Sequence, residues 1–300
     1  MDNYTSTTKK FLEDRFNRER NNNNIYLSHQ PIFGYRSPFS TPPHIQRYIV
    51  IKSILNAIKN YSFSNLIDVG GAEGWTAHII KELFKVKVAT ADLSENACKI
   101  ARKAFNHTAT ACDIHLLPFQ DSEFDVVICS ETIEHVTHYK QAVDELLRIT
   151  KNVLIITVPH ETPKKVAKTI RNKMPHGHIH YFDINTLDYL KERGYIVKYE
   201  KTSSPLLTQL RVMIEGYKKT ENKIHYKIYN ALTPIFKKLF GIKSAHWIVS
   251  FDKIITNFFG LYGGITFAIE KRDCVKSFVH KEISSEDFIG ITVTPHAVVD

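Results

Sequence analysis

Between residues 45 and 159, short apolar runs alternate with longer segments in which apolar residues recur every three or four positions. The short runs predict strands and the periodic segments predict helices. The predicted strands, in chain order, are NLIDVGG, KVATADLS, TATACD, FDVVICS and NVLIITVPH. The predicted helices are IQRYIVIKSILNAIKNY, WTAHIIKELF, ENACKIARKAF (with Ser94 as its N-cap) and YKQAVDELLRIT. Because the strands are continuously apolar, they fit a parallel sheet with helices on both faces, and the pattern predicts a doubly wound α/β domain.

The strands change character later in the chain. The segment NTLDYLKER predicts a helix that ends at Gly194, and the strand YIVKYEK follows it with alternating apolar and polar residues. A second alternating strand, GITFAIE, comes only at residues 264–270. Two half-exposed strands at the end of a parallel sheet predict an antiparallel edge pair. The expected sheet therefore has seven strands and is mostly parallel.

The same pattern divides the chain into four parts. Residues 1–44 are polar, contain four consecutive asparagines and end in a proline-rich run, so we expect an arm or lid with little structure of its own. Residues 45–203 together with 260–273 form the predicted α/β core. Residues 204–259 are helical in character and rich in aromatic and basic residues. We expect them to form a helical insertion before the last strand that caps the substrate, with aromatic side chains facing it. Residues 274–300 are a tail.

Composition narrows the class of protein. An apolar fraction of 43% excludes wholesale disorder, and a formal charge of +9 fits either a lysine-rich soluble surface or an anionic partner. Basic residues of the insertion interleave with apolar ones instead of forming a stripe, which disfavours nucleic acid. Four cysteines without paired spacing suit a reducing compartment. With no run long enough for a transmembrane segment and no signal-peptide pattern at the N-terminus, we expect a cytoplasmic protein.

The stretch NLIDVGGAEGWTA places Asp68, Gly70 and Gly74 where the first strand turns into a helix. A dinucleotide fingerprint needs G-x-G-x-x-G, but counting from Gly70 the later glycines would fall on Ala72 and Trp75. A P-loop would end in G-K-[ST], which does not occur here. The turn is therefore neither a dinucleotide-binding fingerprint nor a P-loop. The pattern that it does fit is acid-x-G-x-x-x-G.

This turn resembles the first motif of the class I S-adenosylmethionine-dependent methyltransferases, usually acid-x-G-x-G-x-G. Ala72 takes the place of the middle glycine, where we expect a negative φ. The run from Asp113 to Val136, DIHLLPFQDSEFDVVICSETIEHV, resembles the corresponding segment of the small-molecule ("type 11"-like) members. The resemblance covers residues 45–202 and returns at 264–270. It implies a Rossmann-like methyltransferase fold, S-adenosylmethionine as cofactor and methyl transfer as the activity.

The cofactor site is expected at the ends of successive strands. An acid that closes the second strand can chelate the ribose hydroxyls of a nucleoside cofactor, and Asp92 has that position. The resemblance implies that Asp113 receives the adenine amino group, that Ile114 offers its backbone N–H to the ring, and that Asp68 and Gly70 lie beside the methionine portion. The alternative, that these residues only form turns, is disfavoured by their joint placement at the carboxyl edge. The predicted cofactor-binding residues are Asp68, Gly70, Gly71, Ala72, Gly74, Asp92, Leu93, Asp113, Ile114 and Ser130.

The candidate catalytic residues are Glu131, Glu134 and His135, which follow the fourth strand in SETIEHV. In a helical turn Glu131 and His135 would share one face, and His135 would be placed to act as acid or base on an acceptor hydroxyl. The spacing also resembles the metal-binding motif of the ubiquinone-biosynthesis O-methyltransferases and of the small-RNA 2′-O-methyltransferases. That resemblance implies a divalent cation with His180 as a further ligand. A packing role without metal is the third alternative.

The methyl acceptor is the least determined part of the prediction. His176 and His178 are expected to bond backbone groups and line a pocket, because no cysteine pattern supports zinc. The basic and aromatic insertion suits a small-molecule or a lipid- or glycan-linked acceptor, methylated at oxygen. Two other interpretations stay open. One is a pseudoenzyme or assembly protein that binds S-adenosylmethionine, and the other is a peripheral membrane-binding module whose insertion touches lipid.

Overall fold

The computed structural model of the protein describes residues 2–21, 42–203 and 243–276, together with the single residues 283, 287 and 291. Its strands are β1 Asn65–Val69, β2 Lys87–Asp92, β3 Thr108–Ala111, β4 Phe124–Ser130, β5 Thr150–Pro159, β6 Ile196–Thr202 and β7 Gly264–Glu270. Its helices are α1 Asn3–Asn21, α2 Pro42–Ile58, α3 Trp75–Phe84, α4 Glu95–Phe105, α5 Tyr139–Ile149, α6 Pro163–Arg171, α7 Tyr189–Glu192 and α8 Lys243–Phe258. Across the described residues, no helix has both the length and the apolarity needed to cross a membrane.

The seven strands form one sheet in the order β3-β2-β1-β4-β5-β7-β6. Strands β1 to β5 pair in parallel, whereas β7 lies antiparallel between β5 and β6. The predicted α/β class and mostly parallel seven-stranded sheet are thereby confirmed. The strand order reverses at β1, which has β2 on one side and β4 on the other. In open α/β sheets such a reversal opens a crevice at the carboxyl ends of the strands.

Two apolar layers cover the faces of the sheet. Consecutive residues of β4 enter opposite layers: Val126 and Ile128 pack towards α2 and α3, whereas Val127 and Cys129 pack towards α5. Every position of the strand is therefore buried on one face or the other, which is why its sequence is continuously apolar. The carboxyl ends of these rigid central strands hold the loops that follow them.

The prediction of two half-exposed strands is wrong for β7, since every residue of β7 is buried. It is an interior strand with β5 on one side and β6 on the other. On one face Phe267 and Ile269 join the layer beneath α5. On the other face α2 packs against it, with Ser53 Oγ 2.7 Å from Thr266 Oγ1. The edge strand is β6, most of which is partly or fully exposed.

The N-terminal arm is more ordered than its polar sequence predicts, because residues 3–21 form α1. Asp2 caps this helix by accepting a hydrogen bond from the backbone N–H of Thr5 at 2.7 Å. The carboxylate of Glu13 accepts the backbone N–H groups of Glu95 and Asn96 at 2.7 and 3.1 Å. At the start of α4 these N–H groups have no partner within their own helix. Their bonds to Glu13 therefore hold α1 against the N-terminus of α4.

The later helices also differ from the prediction. The helix expected over NTLDYLKER is shorter, with only α7 at its end. Residues 204–242 of the predicted insertion lie outside the described residues, so a substrate cap there stays a prediction. In α8, which is described, Phe251, Ile254 and Phe258 are 52%, 58% and 81% exposed. The expectation that aromatic residues of the insertion face the substrate likewise stays a prediction.

Candidate active site

The turn after β1 brings backbone atoms closer to their neighbours than a side chain would allow. Gly70 has a φ of 77° and Gly74 a φ of 83°, in the left-handed region that favours glycine. A Cβ on Gly70 would lie 2.2 Å from Thr132 Oγ1, and one on Gly71 would lie 2.7 Å from Asp68 Oδ2. The turn therefore needs these glycines for its geometry.

The expectation of a negative φ at Ala72 is wrong, because its φ is 48°. This conformation costs an L-residue about 1 kcal/mol. The methyl group of Ala72 packs with Leu12 and Phe16 of α1 and Ile100 of α4. A glycine would relieve the strain but would lose these contacts.

Replacing Ala72 with glycine is therefore expected to change the free energy of unfolding by less than about 1 kcal/mol, since relief of strain and loss of a buried methyl group oppose each other. Urea unfolding at neutral pH measures this. Ala97→Gly is the matched control, because Ala97 is buried in the same cluster but lies inside α4. It should lose about 1–2 kcal/mol. Equal losses in the two variants would contradict a strained Ala72.

Asp68 and Asp92 end neighbouring strands but have different partners. Asp92 accepts the N–H of Ala72 through Oδ2 and that of Ser94 through Oδ1, both at 2.9 Å. These two bonds tie the carboxylate to the turn after β1 and to the start of α4. Asp68 is 1% exposed, and no described residue forms a hydrogen bond with its Oδ1. Burial raises the pKa of Asp68 to about 7, and the charge of Asp92 adds to the rise. A buried acid oxygen without a partner suits a cationic group of a ligand.

The remaining predicted cofactor residues lie along the same edge of the sheet. Asp113 Oδ1 accepts the backbone N–H of His115 at 3.0 Å and lies 2.6 Å from its Nδ1. Ser130 Oγ lies 2.8 Å from Thr157 Oγ1, at the end of β4. Nine of the ten predicted residues line one cavity: Asp68, Gly70, Gly71, Ala72, Asp92, Leu93, Asp113, Ile114 and Ser130.

Gly74 does not line that cavity. It precedes α3 as the N-cap residue, and a Cβ there would lie 2.6 Å from Nε2 of His107. His107 Nε2 lies 2.9 Å from Thr90 Oγ1, and its ring stacks against Phe105. Because Gly74 has no side chain, the buried ring of His107 can pack directly against the glycine turn.

Burial lowers the pKa of His107 to about 4. Because the unfolded chain has the higher pKa, it binds the proton more readily, so the contribution of His107 is complete above about pH 6.5 and is lost as the pH falls towards 4. Between pH 7 and pH 5 this histidine should cost about 2 kcal/mol of the free energy of unfolding. Urea unfolding of the protein and of His107→Gln at both pH values isolates the effect. An equal pH dependence in the two proteins would contradict it.

Helix α1 forms a wall of the cavity that the sequence did not predict. The cavity-lining residues of α1 are Thr5, Thr8, Leu12, Arg15 and Phe16. Tyr4 of the same helix donates its hydroxyl to the carbonyl of Gly177 at 3.1 Å. The helix therefore bridges α4 on one side of the cavity and the histidine-rich loop on the other.

The segment after β4 is not the single helical turn expected for E-x-x-E-H. Glu131 has a φ of 50°, and only Ile133–His135 form a 3₁₀ turn. The backbone N–H of Glu131 donates to the carbonyl of Thr157 at 2.9 Å, and the Thr157 hydroxyl donates to Glu131 Oε1 at 3.2 Å. Glu131 is thus tied to β5, whereas Glu134 and His135 turn towards the loop after α6.

Glu134, His135 and His178 come together in this region, with one carboxylate oxygen and two ring nitrogens within 4.8 Å of one another. His135 Nδ1 donates to the carbonyl of Gly177 at 3.2 Å, and His178 Nδ1 donates to Glu161 Oε2 at 2.9 Å. A carbonyl or carboxylate oxygen only accepts, so each neutral ring carries its lone pair on Nε2. Both oxygens of Glu134 are buried and have no hydrogen-bond partner within the described ranges.

His180, the predicted further ligand, is not in this group. Its Nε2 lies 2.6 Å from the carbonyl of Val136, a backbone bond that fixes the loop. His178 takes its place in the cluster. The sequence signal was the H-x-H spacing, which does not say which of the two histidines points to Glu134. His176 stacks on His135, with ring centroids 3.8 Å apart.

Burial shifts the pKa values of this cluster towards neutral forms. It raises the pKa of Glu134 well above its usual range, and the carboxylate of Glu131 adds to the rise. It raises the pKa of Glu131 to about 7. It lowers the pKa of His135 well below its usual range, and His176 contributes to the lowering. The cluster is therefore suited to bind a cation or to take up a proton.

The cavity has a volume of about 620 Å³, within the range of sites for small ligands. The glycine turn and the acids of β1 to β3 line one part of it. Glu131, Glu134, His135 and His178 line another part, and all four belong to the same cavity.

The sequence model of a family described as "Methyltransferase domain" matches residues 67–155, from β1 into β5. This chain carries a methyltransferase domain of the class I S-adenosylmethionine-dependent superfamily. The resemblance of the glycine turn and of the segment after β3 is thereby confirmed. The match ends within β5, before α6, so the histidine-rich loop lies outside the matched residues.

Solved structures share the methyltransferase fold at low identity. A geranyl diphosphate C-methyltransferase from Streptomyces coelicolor A3(2), bound to Mg²⁺, geranyl diphosphate and S-adenosylhomocysteine, is 12% identical at a TM-score of 0.55, covering 90% of this chain and 98% of that one. The [4+2]-cyclase SpnF is 13% identical at a TM-score of 0.54, and the match covers 88% of this chain and 93% of the cyclase.

A phosphoethanolamine N-methyltransferase 2 from Haemonchus contortus, in complex with S-adenosylhomocysteine, is 16% identical at a TM-score of 0.53. The match covers 87% of this chain and 60% of that enzyme, so this chain spans less than two thirds of it. At such identities the likeness shows the fold alone. The three proteins catalyse different reactions, so the fold does not define the acceptor.

Proposed function

We propose that this protein transfers a methyl group from S-adenosylmethionine to an oxygen atom of a small-molecule or a lipid- or glycan-linked acceptor. One observation carries the proposal: the glycine turn with its three acids lines the same cavity as the cluster of Glu134, His135 and His178. Methyl transfer from a sulfonium is an in-line displacement, which is accelerated mostly by holding the two reactants in place. A cavity with a nucleoside-type site and a basic cluster meets that need.

The cofactor residues fit S-adenosylmethionine, which supplies an electrophilic methyl group when bound. Asp92 ends the second strand and lines the cavity, which is the position of an acid that binds the ribose hydroxyls of a nucleoside cofactor. Asp68 has an unpartnered oxygen for the amino group of the methionine portion. Asp113 and Ile114 would hold the adenine ring.

His178 is the best placed base for the acceptor hydroxyl. Its Nδ1–H is held by Glu161, so Nε2 is the atom free to accept the proton, and the carboxylate stabilises the imidazolium that forms. His135 is the weaker base of the pair, because burial lowers its pKa. Glu161 is thus a positioning residue that also pairs with Lys165.

A divalent cation is the alternative to a lone base. The two Nε2 atoms and the Glu134 carboxylate supply ligands, and the Nδ1–H bonds to Gly177 and Glu161 are of the kind that orients metal-bound histidines. A mixed set of imidazole and carboxylate suits Zn²⁺, Fe²⁺ or Mn²⁺ better than Mg²⁺. Such an ion would lower the pKa of an acceptor hydroxyl.

The test of the proposal uses the purified full chain, isotope-labelled methyl donor and fractionated cell extract. Calorimetry should first show S-adenosylhomocysteine binding in the micromolar range, about −8 kcal/mol. Label should then enter the small-molecule or lipid fraction as an O-methyl group, identified by mass spectrometry. Label in nucleic acid would contradict the proposed acceptor class, and cofactor binding without any transfer would support the pseudoenzyme interpretation.

Transfer in the presence of excess chelator separates the two chemistries. If a cation is required, chelator should abolish transfer and Mn²⁺ or Zn²⁺ should restore it. Full activity in chelator would contradict the cation and leave His178 as the base. In that case the pH–rate profile should show an inflection that disappears in His178→Asn but persists in His180→Asn, since His180 bonds only to the loop backbone.

A further inference from the structure

Two further polar residues line the cavity and belong neither to the predicted cofactor residues nor to the Glu134 cluster. Ser203 follows β6 and His160 follows β5, and both line the cavity. Ser203 is 4% exposed, and among the residues that the structure describes its hydroxyl has no hydrogen-bond partner. Buried hydroxyls are normally paired, so a lone one that lines a cavity indicates a partner supplied by a ligand.

The backbone holds Ser203 in an uncommon conformation. Its φ is 58°, which costs free energy for any residue but glycine. Its N–H donates to Asp252 Oδ2 of α8 at 2.8 Å, and its carbonyl accepts the N–H of Gly263 at 2.9 Å. A Cβ on Gly263 would lie 2.7 Å from that carbonyl oxygen. Strained residues fixed from both sides in this way are typical of binding sites.

His160 belongs to the same frame through Gly263. The N–H of His160 donates to the carbonyl of Gly263 at 2.9 Å, while Gly263 donates to Ser203. His160 Nδ1 donates to the carbonyl of Phe182 at 2.8 Å, so the neutral ring has its lone pair on Nε2. The ring is stacked on Tyr262, with centroids 4.3 Å apart, which fixes its plane.

The donors and acceptors of this pair favour a group that can give a proton to Nε2 and also bond to the serine hydroxyl. His160 Nε2 needs a donor, whereas the Ser203 hydroxyl can donate or accept. A carboxylate, a phosphate or a ketone offers no proton to Nε2. A hydroxyl group donates to Nε2 and at the same time accepts from Ser203, so it satisfies both.

The position of the pair relates this hydroxyl to the one that is methylated. Glu161 follows His160 directly in the chain and holds His178, the proposed base, at 2.9 Å. One extended segment therefore contributes to both sites. We infer that Ser203 and His160 bind a second hydroxyl of the acceptor, beside the oxygen that receives the methyl group, and that the acceptor is a diol. This inference rests on the proposed function, since it names the acceptor of the same site.

A diol of this kind comes from two chemical sources, a sugar or a catechol-type ring, and both stack on aromatic faces such as that of Tyr262. The experiment has one arm for each. The catechol arm compares 3,4-dihydroxybenzoate with 4-hydroxybenzoate, and the sugar arm compares methyl glucoside with its 3-deoxy analogue. Binding to the full chain loaded with S-adenosylhomocysteine is measured by calorimetry, and transfer is measured with labelled donor.

In one arm the diol should have a kcat/KM at least about 10-fold above that of its deoxy analogue, because the analogue leaves buried polar groups unpaired. Ser203→Ala and His160→Asn should each remove this preference, mainly through a higher KM. The asparagine amide can still donate to Phe182, so His160→Asn keeps that bond but removes Nε2 and the ring that stacks on Tyr262. Ser203→Gly also removes the hydroxyl, and glycine adopts the positive φ at this position without strain. It therefore tests the loss of the hydroxyl separately from the backbone strain.

Thr256→Ala is the matched control, because Thr256 is a buried hydroxyl residue of α8 that does not line the cavity. It should keep the preference for the diol. The inference is overturned if the preference survives in Ser203→Ala, Ser203→Gly and His160→Asn, or if protein that binds S-adenosylhomocysteine neither binds nor methylates either diol. Failure to bind S-adenosylhomocysteine at all would instead overturn the proposed function, and the inference with it.

Discussion

Glu134→Gln is expected to raise the thermal stability of the protein and to lower methyl transfer by at least about 100-fold. In the described part of the chain both oxygens of Glu134 are buried without a hydrogen-bond partner, and Glu131 lies close enough to raise its pKa further. At neutral pH such a carboxyl group must either keep an uncompensated charge or take up a proton, and both cost the folded state free energy that the neutral amide does not. We expect a gain of about 1–3 kcal/mol in the free energy of unfolding. Transfer falls because the cluster loses either its anionic ligand or its proton acceptor.

The control is a Glu→Gln substitution at a carboxylate whose oxygens have hydrogen-bond partners. Glu145 accepts the backbone N–H of Leu117 at 3.0 Å and pairs with Arg148 at 2.9 Å. Glu145→Gln should therefore lower stability and leave transfer unchanged. S-adenosylhomocysteine affinity, measured by calorimetry, should be unaffected in both variants. A Glu134→Gln protein that is less stable, or that transfers methyl groups at the original rate, would show that Glu134 only supports packing.

A cation in the cluster adds a second readout. An ion that binds the folded protein stabilises it by mass action, so Mn²⁺ or Zn²⁺ should raise the midpoint of thermal unfolding of the unmodified protein. In Glu134→Gln that rise should be smaller, because one of three ligands is lost. Glu134 would then be a residue that is needed for activity but lowers the stability of the folded protein.

The cofactor edge of the site was predictable because it depends on local order along the chain. Asp68, Asp92 and Asp113 each end an apolar run, and parallel strands place such ends along one edge of the sheet. Gly70 and Gly74 were predictable for the same reason, since a tight turn follows directly from the strand before it. Their placement needs no knowledge of distant contacts.

The parts that could not be predicted depend on contacts between distant segments. Helix α1 looked like an unstructured arm because its stability comes from elsewhere, through Glu13 at the start of α4 and Leu12 against Ala72. The positive φ of Ala72 has the same origin, since the packing against α1 offsets the strain. Likewise β7 alternates in sequence, but α2 covers the face that the alternation assigns to solvent. His178 and Ser203 became site residues only when separate loops met at the cavity.

Asp92→Ala is expected to weaken S-adenosylhomocysteine binding by about 1.5–3 kcal/mol, roughly 10–150-fold in the dissociation constant. Asp92 fixes the turn through the N–H groups of Ala72 and Ser94, and we propose that its carboxylate also binds the ribose. Asp121→Ala is the control, because Asp121 is an exposed acid that pairs with Arg148 on the surface. It should bind the cofactor product normally.

Calorimetry with the 2′-deoxy analogue of S-adenosylhomocysteine separates the two roles of Asp92. If the carboxylate binds the 2′-hydroxyl, the unmodified protein should bind the analogue more weakly, whereas Asp92→Ala should bind analogue and parent almost equally. The loss of affinity from Asp92→Ala and the loss from removing the 2′-hydroxyl are then less than additive, as expected when both remove the same contact. Fully additive losses would mean that Asp92 acts only by shaping the turn and that the ribose is held by other residues. Unchanged binding of the parent compound to Asp92→Ala would place the cofactor site away from this edge altogether.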